Sequence, residues 1–322
     1  MTDVKAAGGC FIGFDTSNYT TSAAVVSEDG RVIANLKRPL PVKEGQRGLR
    51  QSDAVFEHVR NLPDILCELR EVLRTERLNP LAVGVSVTPR DAEGSYMPCF
   101  LSGKAAAYSF SAAVDAPIYE FSHQNGHVMA AAYSSGCVDE LMSEPFVAFH
   151  VSGGTTEALF VEPVGKGIKV TTVGETDDIN AGQLIDRVGV VLGLQFPCGK
   201  EMERLAAEYK GKIRKHPICV RNIKCSLSGA ENIALKIYKE TEDRSAAAAF
   251  VFDFICRTLL EMGAQTEEKF GKTKVLFAGG VMSNKLMRNR LSERFCAYYA
   301  EPQFSADNAA GVALLCKREY EK

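Results

Sequence analysis

An order of elements given twice constrains this chain more than any single motif in it. The first copy opens with the run CFIGFD, ending at Asp15, followed by SAAVVS and then RVIANLKRPL, with Asp29-Gly30 between the last two. Asp-Gly between two β-type runs is a strong hairpin signal, because such a turn needs positive φ at its central residues. The chain therefore begins with three short strands in a meander. Apolar residues at Val55, Val59, Leu62, Ile65, Leu66 and Leu69 then fall at helical spacing over 54–74, with Pro63 as the candidate for a kink. A buried strand over 81–88, a helix over 104–114 and a strand over 117–121 complete the copy. The second copy repeats these types. It has strands over 146–154, 156–162 and 168–174, helices over 178–192, 200–209, 232–239 and 246–270, and a buried strand over 275–280. A helix over 283–295, the short strand CAYYAE and a last helix over 307–317 follow. No residue-by-residue repeat accompanies the repeated order.

The repeated order predicts an α/β protein of two similar lobes, 9–143 and 144–322, around a nucleotide cleft, as in the actin-like ATPases (actin, sugar kinases, heat-shock ATPases). A single doubly wound lobe is the alternative, and two opening meanders fit it poorly. At 322 residues there is chain enough for two cores. The formal net charge is −2, so any contact with nucleic acid has to come from a local patch. The ten cysteines form no CxxC pair, which reads as reduced, mostly buried thiols and not a disulfide or zinc framework. The opening MTDVKAAGGCFIGFD lacks the layout of a signal peptide and no apolar run is long enough for a membrane span, so the expected location is cytoplasmic.

His123 and His127 stand four residues apart in SHQNGHVMAAAY. On a helix both rings project from one face and can share one metal ion. Asn125 and Gly126 predict a loose first turn. A histidine pair alone is a weak signal, since most such pairs are surface or capping residues. Three turns are candidates for phosphate or nucleotide: Asp15, Thr16 and Ser17 after the first strand, Ser152-Gly153-Gly154-Thr155 as the matching turn of the second copy, and Gly279 to Asn284 between a buried strand and a helix. Any one of them reads as a tight loop; three together point to a nucleotide cleft. Asp186 interrupts an apolar run, and its carboxylate suits either ribose hydroxyls or an ion pair with Arg187. Pro197-Cys198-Gly199 forms a turn suited to lie under an adenine. Asp307, in FSADNAAG, reads by itself as a helix N-cap.

Taken together the blocks DTSNYTTSAAVV, SHQNGH, HVSGGTTEALFV, GETDDINAGQLIDRVGVVLGLQFPCG, CSLSGAEN, FAGGVMSN and ADNAAG resemble the TsaD family, the tRNA threonylcarbamoyladenosine transferases. The resemblance implies one divalent metal ion, Fe or Zn, held by His123, His127 and Asp307. It implies a nucleotide ligand, threonylcarbamoyl-AMP or ATP, bound by His150, Val151, Ser152, Gly153, Gly154, Asp186, Gly199 and Asn284. It also implies transfer of the threonylcarbamoyl group to the exocyclic amine of the adenosine following the anticodon in tRNA. The implied partners are tRNA, a homologous inactive subunit and a small ATPase, with no membrane. No catalytic residue beyond the metal site is expected, because the acyl group of a carbamoyl-phosphate anhydride is already activated. No Ser-His-Asp set is visible, and Gln124 stands where a zinc protease's HExxH would need glutamate.

The chain departs from the family pattern at NYTT, at PRDAEGSYMPC in place of a GPG loop, and at CSLSGAEN, which lacks the lysine of FSGLKT. These departures fit a divergent paralogue, and a nucleotide-binding regulatory or scaffold protein without transferase activity is the competing reading. A small-molecule kinase or carbamoyl transferase is a third, against which the histidine pair argues. Two basic stretches are candidate tRNA contacts: KGKIRKHPICVRNIK over 210–224, and Arg38, Lys43, Arg47 and Arg50.

Overall fold

A computed structural model describes residues 8–17, 19–41, 49–165, 167–301, 304 and 309–321. Lys43, Arg47 and Asp307 lie outside the described residues. The chain divides into two compact units: Met1–Val138 with Glu162–Val170 and Gln303–Lys322, and Asp139–Val161 with Thr171–Pro302. The division falls near the expected boundary at 143, but the units are not contiguous, because the end of the chain and the tip of one hairpin cluster with the first unit.

The first unit is built on β1 (Gly8–Asp15), β2 (Thr20–Ser27), β3 (Val32–Pro39), β4 (Leu78–Thr88) and β5 (Ile118–Ser122), in the sheet order β3-β2-β1-β4-β5. The predicted meander is antiparallel, and Gly30 makes its second turn at φ +82. β4 and β5 then add in parallel beside β1. Connecting parallel strands requires crossovers: α1 (Gln51–Glu76) joins β3 to β4 and α2 (Phe100–Val114) joins β4 to β5, while α3 (His123–Ser134) follows β5. α1 runs as one helix through Pro63. Its Ile65 and Leu69 pack with Ile12, Phe14, Val25, Val83 and Val85 of the sheet and Ala107 of α2.

The last helix, α10 (Ala310–Tyr320), packs against β1, β4 and α3. Its approach to α3 is backbone to backbone. A Cβ on Gly311 would lie 1.8 Å from the Gly126 carbonyl oxygen, so only glycine fits there. Gly126 therefore serves helix packing. The first turn of α3 is regular, against the expectation of a loose one, and Ser122 caps it by accepting a hydrogen bond from the Asn125 N–H at 3.2 Å.

The second unit repeats the topology. β6 (Phe146–Val151), β7 (Thr156–Val164), β8 (Gly167–Glu175), β11 (Val275–Ala278) and β12 (Ala297–Tyr299) give the order β12-β11-β6-β7-β8. Counted from the meander outward this is the arrangement of the first sheet, with β6 in the place of β1 and β11 and β12 parallel as β4 and β5 are. α8 (Arg244–Phe270) explains its apolar run by burial on nearly every side, from Ala246 through Thr266. It shares a core with Leu184, Ile185 and Val188 of α5 (Ala181–Val191) and with Phe149 and Phe277, whose rings stack 5.3 Å apart. α6 (Gly199–Glu208), α7 (Ser228–Thr241) and α9 (Lys285–Ser292) complete the unit, along with a short helix, α4 (Val138–Leu141), and a small hairpin of β9 (Cys219–Arg221) and β10 (Lys224–Ser226). Neither of these two was legible in the sequence. The helix expected over 283–295 begins at Lys285, after a 3-10 turn at Gly280–Ser283.

Candidate functional site

In the first unit, β1 ends in a buried carboxylate. Asp15 is fully enclosed, and its Oδ1 lies 3.2 Å from Nδ1 of His123, the first residue of α3. The sheet order produces this meeting. Asp15 and Ser22 end β1 and begin the β2 pairing, Ser86 nears the end of the neighbouring β4, and β5 delivers His123 beside them. Ser86 donates to Asp15 Oδ1, Ser17 donates to Oδ2 at 2.6 Å, and Ser22 donates to the Asp15 carbonyl at 3.1 Å. Burial alone would raise the Asp15 pKa. The charge of His123 and the hydrogen bonds from its ring, Ser17 and Ser86 outweigh that and hold it below the usual carboxylate value. A carboxylate only accepts, so Nδ1 of His123 carries the proton directed at Asp15, and the lone pair of the neutral ring is on Nε2.

His127 stands one turn along α3, with its ring centroid 4.2 Å from that of His123 and the planes at 74°. Two adjacent imidazoles, one oriented by a carboxylate through its other nitrogen, form the arrangement that metal-ligating histidines adopt. Among the described residues no group of three or more His, Cys, Asp or Glu is disposed to hold a metal. Gly311, in the first turn of α10, packs on Gly126, which lies between the two histidines in α3. The turn Asp15-Thr16-Ser17 looks inward, since all three residues are buried. Thr16 Oγ1 donates to the Cys99 carbonyl at 3.0 Å and accepts from the Gly103 N–H at 2.9 Å.

The second unit brings together another set of the expected residues. Ser152 Oγ accepts from the N–H groups of Gly154 (3.2 Å) and Thr155 (3.0 Å), closing the turn after β6 on itself. α5 is fastened directly to that turn. The Gly182 N–H donates to the Ser152 carbonyl at 3.0 Å and the Ala181 N–H to Thr156 Oγ1 at 2.9 Å. A Cβ on Gly182 would lie 2.6 Å from the Gly153 nitrogen, so the contact tolerates no side chain. Gly279, at φ +98, packs on the Val151 backbone in the same way, with 2.2 Å from an added Cβ to the Val151 carbonyl oxygen. Val151 itself is buried. His150 faces Glu157 across the β6–β7 pair, Nδ1 to Oε1 3.9 Å.

Gly153, Gly154, Gly199 and Gly280 behave differently. None has φ in the left-handed region, and an added Cβ would meet nothing within 4 Å at any of them. Neither backbone conformation nor packing accounts for these four glycines. Gly153, Gly154 and Gly280 flank the close contacts just described and Gly199 begins α6, and each leaves backbone open to an incoming group. Asp186, on α5, accepts from the Cys198 N–H at 2.8 Å through Oδ1, which positions the turn before Gly199. Among the described residues no donor reaches its Oδ2. Arg187 pairs with Glu231 at 3.1 Å and not with Asp186. Asn284 caps α9 through Oδ1, with Met287 N–H at 2.9 Å, and its buried Nδ2 has no acceptor among the described residues. That orphan donor is a signal no sequence pattern carries.

The family model described as TsaD, tRNA N6-adenosine threonylcarbamoyltransferase, matches residues 44–314. A tRNA N6-adenosine threonylcarbamoyltransferase of Thermus thermophilus is 30% identical over 316 residues, 97% of this chain and 93% of the relative. One of Methanopyrus kandleri is 26% identical over 307 residues, 94% and 85% of the two chains. Among solved structures, full-length HypF in its phosphate- and nucleotide-bound form aligns with TM-score 0.60 and 13% identity, covering 99% of this chain and 56% of that one. Component A of the Acidaminococcus fermentans (R)-2-hydroxyglutaryl-CoA dehydratase aligns with TM-score 0.55 and 13% identity over 97% and 99%. These two show the fold, which is of the actin-like ATPase type. No helix among the described residues is long and apolar enough to cross a membrane.

Proposed function

The chain belongs to the TsaD family, the tRNA N6-adenosine threonylcarbamoyltransferases, and from that premise we propose that it transfers a threonylcarbamoyl group from threonylcarbamoyl-AMP to the N6 amine of the adenosine following the anticodon in tRNA. The observation that carries the reading is the His123–His127 pair with Asp15 fixed behind it.

In this reading His123 and His127 hold one divalent ion, Fe or Zn, and Asp307 is the third protein ligand. When bound, the ion supplies positive charge that polarises the acyl carbonyl or orients the donor. Asp15 fixes the tautomer and ring angle of His123. In the second unit, Gly153 and Gly154 present open backbone to the phosphate, Asp186 Oδ2 accepts from a ribose hydroxyl, Gly199 admits the base and Asn284 donates from Nδ2. The N6 amine attacks the carbamoyl carbon, the bond from that carbon to the phosphate oxygen breaks, and AMP leaves. No covalent enzyme intermediate is needed, because the anhydride is already activated. The implied partners are the homologous inactive subunit and the small ATPase, and the expected location is the cytoplasm.

The test is nucleoside mass spectrometry of unmodified tRNA after incubation with threonylcarbamoyl-AMP, the chain and those partner subunits. Threonylcarbamoyladenosine at the position after the anticodon is the expected result. Nucleotide binding without any modified adenosine would instead establish the regulatory reading, to which the CSLSGAEN departure points. There Glu231 is engaged with Arg187 at 3.1 Å, in the segment that lacks the lysine of the family motif. Within the transfer reading, Asp15→Asn is expected to weaken metal binding by about 10–100-fold, as losses behind a ligating histidine do. Chelator competition measures it.

A further inference from the structure

From the end of α6 to the first residue of β10 run sixteen residues, 209–224, with six cations and no acid: Lys210, Lys212, Arg214, Lys215, Arg221 and Lys224. The chain as a whole carries −2, so the rest of it is markedly acidic by comparison. Residues 209–218 have no regular secondary structure, yet they are fastened down. Tyr209, Ile213, Ile218 and Val220 pack against the second unit's core. α8 grips the backbone: Arg257 Nη1 donates to the His216 carbonyl at 2.9 Å, and the Ile223 N–H donates to Gln265 Oε1 at 2.9 Å. All six cationic residues are exposed.

Two observations set this surface apart from an ordinary solvated loop. The first is charge without compensation. Lys215, Arg257 and Arg290 all converge on the single buried carboxylate of Asp253, at 3.3, 2.7 and 2.8 Å. Arg214 pairs with Glu240. Among the described residues, no carboxylate lies within ion-pair distance of Lys210, Lys212 or Arg221. The second is the β9–β10 hairpin. Arg221 and Lys224 stand directly opposite each other across it, a like-charge pair that opposes strand pairing. Its turn places Ile223 at φ +65, a conformation that β-branched residues avoid. Lys224 has Asp177 at 3.8 Å and Glu175 at 3.9 Å to offset its charge, so Arg221 is the cation of the pair with no carboxylate in reach among the described residues.

We infer that this surface binds the phosphate backbone of the tRNA substrate. The inference rests on the transfer reading above for the identity of the polyanion. Lys210, Lys212, Arg221 and Lys224 supply phosphate contacts, and the α8 clamp holds them in place before the RNA arrives. Such contacts carry no sequence information; they position the RNA and make its binding salt-dependent.

The experiment compares the wild-type assembly with the Lys210→Glu/Lys212→Glu/Arg221→Glu variant. It measures tRNA affinity by fluorescence anisotropy across a salt series, with donor-nucleotide binding and thermal melting read in parallel. A Lys210→Gln/Lys212→Gln/Arg221→Gln variant guards against effects of added negative charge. The expected outcome is at least a ~10-fold loss of tRNA affinity near physiological salt and a log–log salt slope shallower by about 2 to 3. Nucleotide binding and melting stay at wild-type values. If the wild type binds tRNA and both variants bind it equally well, the surface is not the contact, while the transfer reading stands. If the variants keep tRNA but lose a partner subunit, the surface belongs to an acidic protein and the inference is overturned. If the wild-type assembly neither binds nor modifies tRNA, both fall together.

Discussion

His127→Ala is expected to lower threonylcarbamoyl transfer by roughly 1,000-fold or more while leaving nucleotide binding unchanged. The magnitude follows from the several kcal/mol of charge stabilisation that a bound metal ion supplies at an acyl group, each ~1.4 kcal/mol being a factor of ten. The separation of effects follows from the architecture. His127 belongs to α3 of the first unit, whereas the glycine-lined turns around Asp186 belong to the second. His127 is partly exposed and its loss leaves the α3–α10 contact at Gly126 and Gly311 intact, so melting should barely change. His123→Ala should match it in activity and cost more in stability, since it also strands the buried Asp15 carboxylate without its ring partner. Metal content by elemental analysis and single-turnover transfer are the two readouts. Full activity in either alanine variant would remove the metal from the account.

The second large effect is a contrast between two glycines that look alike in sequence. Gly182→Ala places a methyl group 2.6 to 2.9 Å from backbone atoms of Ser152 and Gly153, which cannot move aside as a flexible side chain could. α5 has to retreat, losing its hydrogen bond to the Ser152 carbonyl and displacing Asp186 with it. We expect a stability loss of about 1–3 kcal/mol, as overpacking costs, together with weakened nucleotide binding. Gly154→Val meets nothing within 4 Å and needs no left-handed backbone, so its stability should stay within about 0.5 kcal/mol of wild type. Its side chain would fill the space that the proposed function gives to phosphate, and nucleotide affinity should then fall by about 100-fold, or roughly 2.7 kcal/mol. Chemical denaturation and equilibrium nucleotide binding separate the two. Wild-type nucleotide affinity in Gly154→Val would show that the open glycines serve no ligand.

The fold was largely legible because its signals are local. Asp29-Gly30 marked the first hairpin, and the two meanders with their trailing helices gave the repeated topology that both sheets show. What stayed hidden depends on residues distant in sequence. Asp15 reads as part of a phosphate turn until parallel pairing of β1, β4 and β5 sets it against His123, 108 residues away. Gly126 reads as a weak first turn until α10 is seen to pack on it. Asp186 reads as either a ribose ligand or an ion pair with Arg187. Its use of one oxygen on the Cys198 N–H, twelve residues on, appears only in three dimensions. The β9–β10 hairpin escaped notice because its turn uses Asn222 and Ile223 without a glycine. The family blocks were specific as a set, which is why the family could be named from the sequence; Asp307 lies outside the described residues.

The central claim is that Asp15 orients His123 so that its Nε2 and the ring of His127 ligate one metal ion. Anomalous X-ray diffraction from crystals of the purified protein, collected at the iron and zinc absorption edges, tests it most directly. The account predicts a single strong anomalous peak within about 2.0–2.2 Å of a ring nitrogen of each histidine. A metal-replete crystal with no peak at that pair, or with its peak elsewhere in the chain, would contradict it.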